Sequence, residues 1–359
     1  MKILIYNDWK TIVGGAERYI DNLIPHLTQK NQILFIAAED VLPLTELTDA
    51  QRKISFWQKN KILIQFIKDQ IEAFKPNIIH IHNMYFYTKS VLTAIKPYKT
   101  RTILTLHDLQ YINMPKEKWW KYYMKHMKRN ALNSVVQSFV APSFIIYKIA
   151  QFQFSNHISY LPHFIDTQKW TFNNSLSNDK LKLLYVGNIS QCKGVFFLLD
   201  VLKKLIADAH EVSLTFVGKG KHEQALQNEI QKQNLEDKAY ITGYQTDKDI
   251  QQHFKNHFVL LFPSLCIESF GMVGLEAQAS GLPVIVSNHG GIQEWASENE
   301  TALMANPNDV QDWCSKINLL WTNKDLYQHI KYQAINQVKS KFKPDNHCET
   351  LHSIYSRLS

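Results

Sequence analysis

The stretch F-P-S-L-C-I-E-S-F-G-M-V-G-L-E-A-Q-A-S-G-L-P-V-I-V-S-N-H-G-G-I-Q-E, Phe262 to Glu294, decides the fold. Its first residue closes a short apolar run, Phe258 to Phe262, that Pro263 cuts; this is the pattern of a buried strand ending at a turn. Glu268 and Phe270-Gly271 follow, then a segment with apolar positions at Met272, Val273, Leu275 and Ala279. Gly281-Leu282-Pro283 ends that segment as a C-terminal glycine and a trailing proline end a helix. Val284 to Val286 reads as the next buried strand and Gly290-Gly291 as its loop. The unit is strand, loop, helix, strand, loop, and in parallel sheets ligands bind at the carboxyl ends of strands, where such loops lie.

A helix opening near Gly271 aims free backbone N–H groups and its positive dipole end at the loop, which suits a phosphate or a sugar hydroxyl. Glu268 precedes that end and Glu276 lies one to two turns inside. Two acceptor-only carboxylates beside an anion site cannot both serve phosphates. They fit hydroxyls at the two ends of a nucleotide-sugar, hexose at one and ribose at the other.

Glu268 and Glu276 at this offset, with F-G after the first, E-A after the second, then G-L-P-V and G-G-I-Q-E, resemble the family-4 retaining glycosyltransferases of the GT-B fold. The resemblance implies an α/β protein with two Rossmann-like doubly wound domains facing a central cleft. It implies that Glu268 contacts the transferred sugar and that the turn Ser269, Phe270, Gly271, Met272 and Val273 holds sugar and phosphate. Glu276 would hold the ribose.

Further upstream the second half opens with Leu181 to Val186, then Gly187-Asn188 and, five residues after Asn188, Lys193-Gly194. The family usually shows Gly-Arg and then Lys-Gly here, two cations that grip a pyrophosphate. Lys193 matches; Asn188 stands in place of the arginine. In the first half Lys2 to Tyr6 reads as a strand, and Gly14-Gly15-Ala-Glu17-Arg18 opens an amphipathic helix. Glycines at such a turn let the backbone approach a ligand closely, and G-G-A-E-R resembles the family's first glycine loop. No G-x-G-x-x-G dinucleotide fingerprint is present. Arg101 to Leu106 reads as a strand that ends in His107-Asp108, similar to the family's histidine on the transferred hexose. His80 and His82, in and just after the strand Ile78 to Ile81, read as packing residues. Arg52 to Phe74 reads as a helix, Val135 to Ala141 as a strand, and Trp313 to Leu358 as a helical tail.

The length of 359 residues favours two domains. The expected limits are 1–165, 166–335 for the nucleotide-sugar domain, and a tail over 336–359 that returns to the first domain; 166–179 reads as the linker. No apolar run reaches the ~18–20 residues of a spanning helix, and Lys2 to Trp9 turns polar too early for a secretory leader. Cys192, Cys266, Cys314 and Cys348 are scattered, as in a protein with reduced, unpaired thiols. The reading is a cytoplasmic enzyme. Residues 1–165 carry 21 lysines and arginines against 11 acids, while 166–359 carry 19 against 21. The basic half therefore meets something anionic. No nucleic-acid motif accompanies it. In Lys116 to Arg129, K-E-K-W-W-K-Y-Y-M-K-H-M-K-R, aromatics alternate with cations, as suits a helix on an anionic membrane surface or one packing its rings inward.

Together these observations predict transfer of a hexose from a nucleotide-diphosphate sugar to an acceptor hydroxyl. As the resemblance implies, configuration is retained, and neither metal nor cofactor is needed. Glu268, His107 and Lys193 are the expected catalytic residues. Gly14, Gly15, Asn188, Ser269 to Val273 and Glu276 are the expected binding residues. The acceptor would be a glycan or lipid-linked glycan of capsule, O-antigen or lipopolysaccharide, met at the inner face of the membrane. Another GT-B enzyme, an epimerase or phosphorylase, and a non-catalytic basic binding protein are the alternatives.

Overall fold

The computed structural model describes residues 1–12, 14–44, 58–112, 119–170 and 180–358, with side chains except at 119–124. They form two compact units, Met1–Phe164 with Pro344–Ser359, and Ile165–Lys343.

In the first unit β1 (Lys2–Asn7), β2 (Gln32–Ala37), β3 (Ile78–Ile81), β4 (Thr102–Thr105), β5 (Ser138–Ala141) and β6 (His157–Tyr160) pair in parallel, in the order β2-β1-β3-β4-β5-β6. Both faces are covered, so the strands are continuous apolar runs. Leu4, Tyr6, Ile79 and Leu104 point to the face that packs on Leu63, Ile67 and Ile71 of α2 (Lys61–Phe74). Ile3, Ile5, Ile78 and Ile103 point to the other, against Tyr19, Ile20 and Leu23 of α1 (Gly15–Thr28) and Leu351, Ile354 and Tyr355 near the C-terminus. α3 (Thr88–Ile95), α4 (Trp119–Val135) and α5 (Phe144–Gln151) complete the unit.

The second unit repeats the rhythm. β7 (Leu181–Val186), β8 (Val212–Val217), β9 (Ala239–Ile241), β10 (Val259–Phe262), β11 (Val284–Ser287) and β12 (Leu303–Ala305) form a parallel sheet ordered β12-β11-β10-β7-β8-β9. Read from β7, this is the 3-2-1-4-5-6 order of a dinucleotide-type fold, whose order reverses between β7 and β10. Its helices are α6 (Phe197–Ala207), α7 (Glu223–Lys232), α8 (Asp247–Asn256), α9 (Met272–Ala279), α10 (Val310–Thr322) and α11 (Lys324–Lys341).

Three expectations change. The helix expected from Arg52 starts at Lys61, because the Asn60 side chain accepts the Leu63 N–H and caps it there; 52–57 lie outside the described residues. The strand expected from Val135 starts at Ser138. Val136 N–H still closes α4 onto Leu132, and pairing to the sheet begins only with Gln137 N–H on Thr102. The tail is three helices, broken at Asn323, whose side chain caps α11, and again before Pro344, which opens α12 (Pro344–Ser356). α12 belongs to the first unit, where Tyr355 Oη meets His80 Nδ1 at 2.7 Å and His347 Nε2 meets Tyr19 Oη at 2.7 Å.

One helix position permits no side chain. A Cβ at Gly274 of α9 would stand 2.1 Å from the ring of Trp295. That ring is fully buried and its Nε1–H is bound to Phe270 O at 2.7 Å, so it cannot swing away. Alanine gains about 1 kcal/mol over glycine in a helix, but overpacking a closed core costs about 1–3 kcal/mol and sometimes more. The collision wins. Gly274→Ala is expected to destabilise the protein by about 2 kcal/mol, read as a lower urea midpoint; a midpoint at or above that of the parent would contradict this packing.

Candidate active site

The loops after β7 and β10 meet where the strand order of the second unit reverses. After β7 the chain runs through Gly187 and Asn188 into a single 3-10 turn, Gln191–Lys193, that Gly194 ends in the left-handed region at φ 77°. A Cβ on Gly194 would lie 2.1 Å from the carbonyl oxygen of Pro263, so only glycine lets the two loops touch. The Cys192 carbonyl then accepts the N–H groups of Leu265 (2.8 Å) and Cys266 (3.2 Å).

This contact sets Lys193 against Glu268. Lys193 Nζ donates to Glu268 Oε1 at 2.5 Å, and Ser264 Oγ donates to the same oxygen. The carboxylate is 8% exposed as a residue. Its main chain is fixed as well, with Gly291 N–H on Glu268 O at 2.8 Å. Burial alone would pull the Lys193 ammonium down, but the charge of Glu268 and its hydrogen bond outweigh that and hold its pKa above the ordinary lysine value. Lys193 is therefore charged throughout the neutral range and carries two further N–H donors.

Two residues on from Glu268, the turn Phe270-Gly271 opens α9. Phe270 is buried, with its carbonyl held by Trp295 Nε1; Gly271 is the N-cap at φ 89°, and no side chain caps the helix. The first N–H groups of α9, at Met272 and Val273, thus lead a helix end with no side-chain cap, the arrangement that receives anions. Ser269 is half-buried beside it and Asn188 is exposed, its carbonyl accepting Tyr185 Oη–H at 2.8 Å. Glu276 is fully buried in α9, just over one turn past Met272. The second unit so gathers Lys193, Glu268 and the opening of α9 at one pair of loops.

In the first unit the order β2-β1-β3 reverses beside β1, and the loops there carry Gly14, Gly15 and a histidine row. Gly14 is the N-cap of α1, with Glu17 in the first turn. Glu17 is buried and accepts Asn7 Nδ2–H at 2.9 Å, and burial raises its pKa. Asp8, also buried, accepts Phe86 N–H at 2.8 Å and Tyr6 Oη–H at 3.2 Å; burial pushes its carboxyl up to about 8. His107 lies half-buried after β4, and both of its ring nitrogens are engaged: Nε2 with His82 Nδ1 at 2.9 Å, Nδ1 with His163 Nε2 at 3.2 Å. A sugar hydroxyl on an imidazole nitrogen of His107 would have to replace one of these bonds. Among the described residues no group of three or more His, Cys, Asp or Glu is placed to hold a metal ion.

Sequence reading missed His82, His163, Asp8 and Glu17. His80 is a packing residue, bound to Thr105 Oγ1 and Tyr355 Oη. His82, one residue past β3, reaches His107 because β3 and β4 are neighbours. A histidine just past each of two adjacent strands was the available signal. His163 had none, since it arrives from the far end of the sheet.

Residues 116–118 of the expected membrane segment lie outside the described residues, as do the side chains of 119–124. Beyond them Lys125 Nζ donates to Ile112 O at 2.7 Å, and Arg129 is buried and donates to Gln153 Oε1 at 3.0 Å. No described helix is long and apolar enough to cross a membrane.

Two parallel doubly wound sheets with flanking helices define an α/β protein of GT-B architecture, and a lysine–glutamate pair stands at the order reversal of the second sheet. The family profile "Glycosyl transferases group 1" matches residues 166–337 and "Glycosyltransferase Family 4" matches 13–169. The chain belongs to this group 1, family-4 type of glycosyltransferases. It is 26% identical over 289 residues to the 2-deoxystreptamine N-acetyl-D-glucosaminyltransferase of Niallia circulans, covering 75% of this chain and 73% of that one. It is 28% identical to the capsular polysaccharide biosynthesis glycosyltransferase CapM of Staphylococcus aureus, over 50% of this chain and 47% of that one. Anabaena HepE, solved in complex with UDP-glucose, superposes with a TM-score of 0.75 at 18% identity, over 98% of this chain and all of the other.

Proposed function

We propose that this glycosyltransferase moves a hexose from a nucleoside-diphosphate sugar to an acceptor hydroxyl with retention of configuration and without a metal. The Lys193–Glu268 pair beside the open end of α9 is the observation that carries the reading. A diphosphate seated at that helix end meets the N–H groups of Met272 and Val273 and the two spare N–H donors of Lys193. These donors are fixed before the ligand arrives, so charge growing on the leaving diphosphate is stabilised without reorganisation, the effect from which such sites gain most of their rate. Glu268 accepts from hydroxyls of the transferred sugar and orients it. Asn188, Ser269 and Glu276 complete the donor side; Glu276 takes the ribose once the donor has opened its surroundings. Gly14, Gly15 and His107 serve the sugar and its phosphates from the first unit's loops.

The acceptor in this reading is a glycan or lipid-linked glycan on the way to a surface polysaccharide. A capsular enzyme among the relatives and the basic first half support it. The work is done in the cytoplasm, at the inner face of the membrane, with Lys116 to Arg129 against anionic lipid.

A thermal-shift screen of uridine, guanosine, adenosine and thymidine diphosphate sugars tests the donor class. The true donor raises the melting point by mass action, by about 2.7 kcal/mol of stabilisation at a hundred times its Kd. If none of the four classes moves the transition at millimolar concentration, the donor assignment is overturned.

A further inference from the structure

The loops after β7 and β10 bring together two cysteines that are distant in the second unit's sequence. We propose that Cys192 and Cys266 are a modification site, an intramolecular disulfide closed by low-molecular-weight disulfides and opened by thiols.

The backbone geometry already suits the bond. Cys266 N–H donates to Cys192 O at 3.2 Å, beside the Leu265 N–H bond to the same oxygen. Ordinary bond lengths around that single N–H···O bond leave the two Cα atoms at most about 7 Å apart, against the ~4.4–6.8 Å that a disulfide spans. The Cys192 side chain is near enough to add to the rise in the Cys266 thiol's pKa. Access is provided as well: Cys192 is exposed and lines a cleft of about 390 Å³ with Ser190, His222 and Leu265.

The order of events follows from the surroundings. Cys266 is half-buried, and burial pushes its thiol up to about 12 although Lys193 pulls the other way. The exposed Cys192 is therefore the first nucleophile. Its thiolate attacks one sulfur of glutathione disulfide, forming a mixed disulfide and releasing one glutathione thiolate. Cys266 then loses its proton to water, attacks Cys192 Sγ and expels the second glutathione. The protein gives up two electrons and two protons, and one glutathione disulfide becomes two thiols. Because Cys266 must ionise, the closing step quickens about tenfold per pH unit between pH 7 and 9.

The other thiols are internal references. Cys314 is buried with its thiol on Val201 O at 3.7 Å and its pKa pushed up to about 11, and Cys348 lies in the first unit. The site does not depend on which donor the enzyme uses.

The test exposes the native full-length protein to glutathione disulfide at pH 8, blocks remaining thiols with N-ethylmaleimide, and maps peptides by mass spectrometry. The expected result is a linked 192–266 peptide, at least tenfold more abundant than any other pairing and lost on adding dithiothreitol. Cys266→Ser is expected to stop at a stable glutathione adduct on Cys192. A wild-type protein that keeps all four thiols, or that accumulates the adduct on Cys192 without closing, overturns the proposal.

Discussion

Glu268→Gln lowers the rate of sugar transfer by roughly 10²- to 10³-fold, the size of effect seen when one preorganised polar group is removed from a reacting centre, while nucleoside-diphosphate binding holds or tightens. The reason lies in the 2.5 Å pair. Glutamine keeps the size and one acceptor of Glu268 but no charge. Sugar hydroxyls lose their strong acceptor, and the Lys193 ammonium is no longer neutralised by a neighbour. Lys193→Met acts with the opposite sign on binding. It removes a charge-assisted hydrogen bond worth about 1.5–3 kcal/mol, so the diphosphate Kd rises at least about tenfold. Because the two side chains touch, the losses in the double variant do not add. Calorimetric titration of the diphosphate and initial rates with the full donor check both. Equal weakening of diphosphate binding by the two variants, with Glu268→Gln still active, would sink the assignment of roles.

Acidification is the second large effect, and it acts on the first unit. His80, His82, His163 and His347 are buried together there, with the half-buried His107 among them. Burial, with repulsion among several of them, lowers all five: His80 and His107 to about 3, His347 to about 4, and His82 and His163 well below the ordinary value. In the unfolded chain each titrates near 6.5. Between about pH 6.5 and these folded values the unfolded state binds more protons, so stability is complete above 6.5 and is lost as pH falls. Asp8 and Glu17 work the other way, since burial raises their pKa and the fold keeps their protons longer. Asp108 is exposed and contributes little. The difference is about three protons, on the order of 3–4 kcal/mol per pH unit at the steepest. The urea midpoint is expected to fall sharply from pH 6.5 to 5, and His163→Gln to make the fall shallower by about one proton. A midpoint that stays level or rises on acidification would contradict the neutral histidine row.

The linear chain carried the architecture because parallel sheets write themselves as apolar runs. Leu181 to Val186, Val212 to Val217 and Val284 to Val286 were all legible, each bounded by glycine or proline. Element ends were less so, because a cap is a contact: Asn60 starts α2 by reaching Leu63, and no periodicity marks it against the apolar positions before it. The loop after β10 was legible from its residues, yet its central interaction was not. Nothing in a list of residues says that Lys193 and Glu268 touch.

By itself, then, the order of amino acids established two doubly wound halves, the glycine turns between strand and helix, and a helix that opens at Gly271. These depend on local sterics and on the spacing of apolar side chains, which act over a few residues. The tertiary structure alone decided that Lys193 is paired rather than free, that His107 sits between two other histidines, and that Cys192 faces Cys266. Each of these follows from strands distant in sequence lying side by side, where burial changes the charge and hydrogen bonding of groups whose neighbours along the chain give no sign of it.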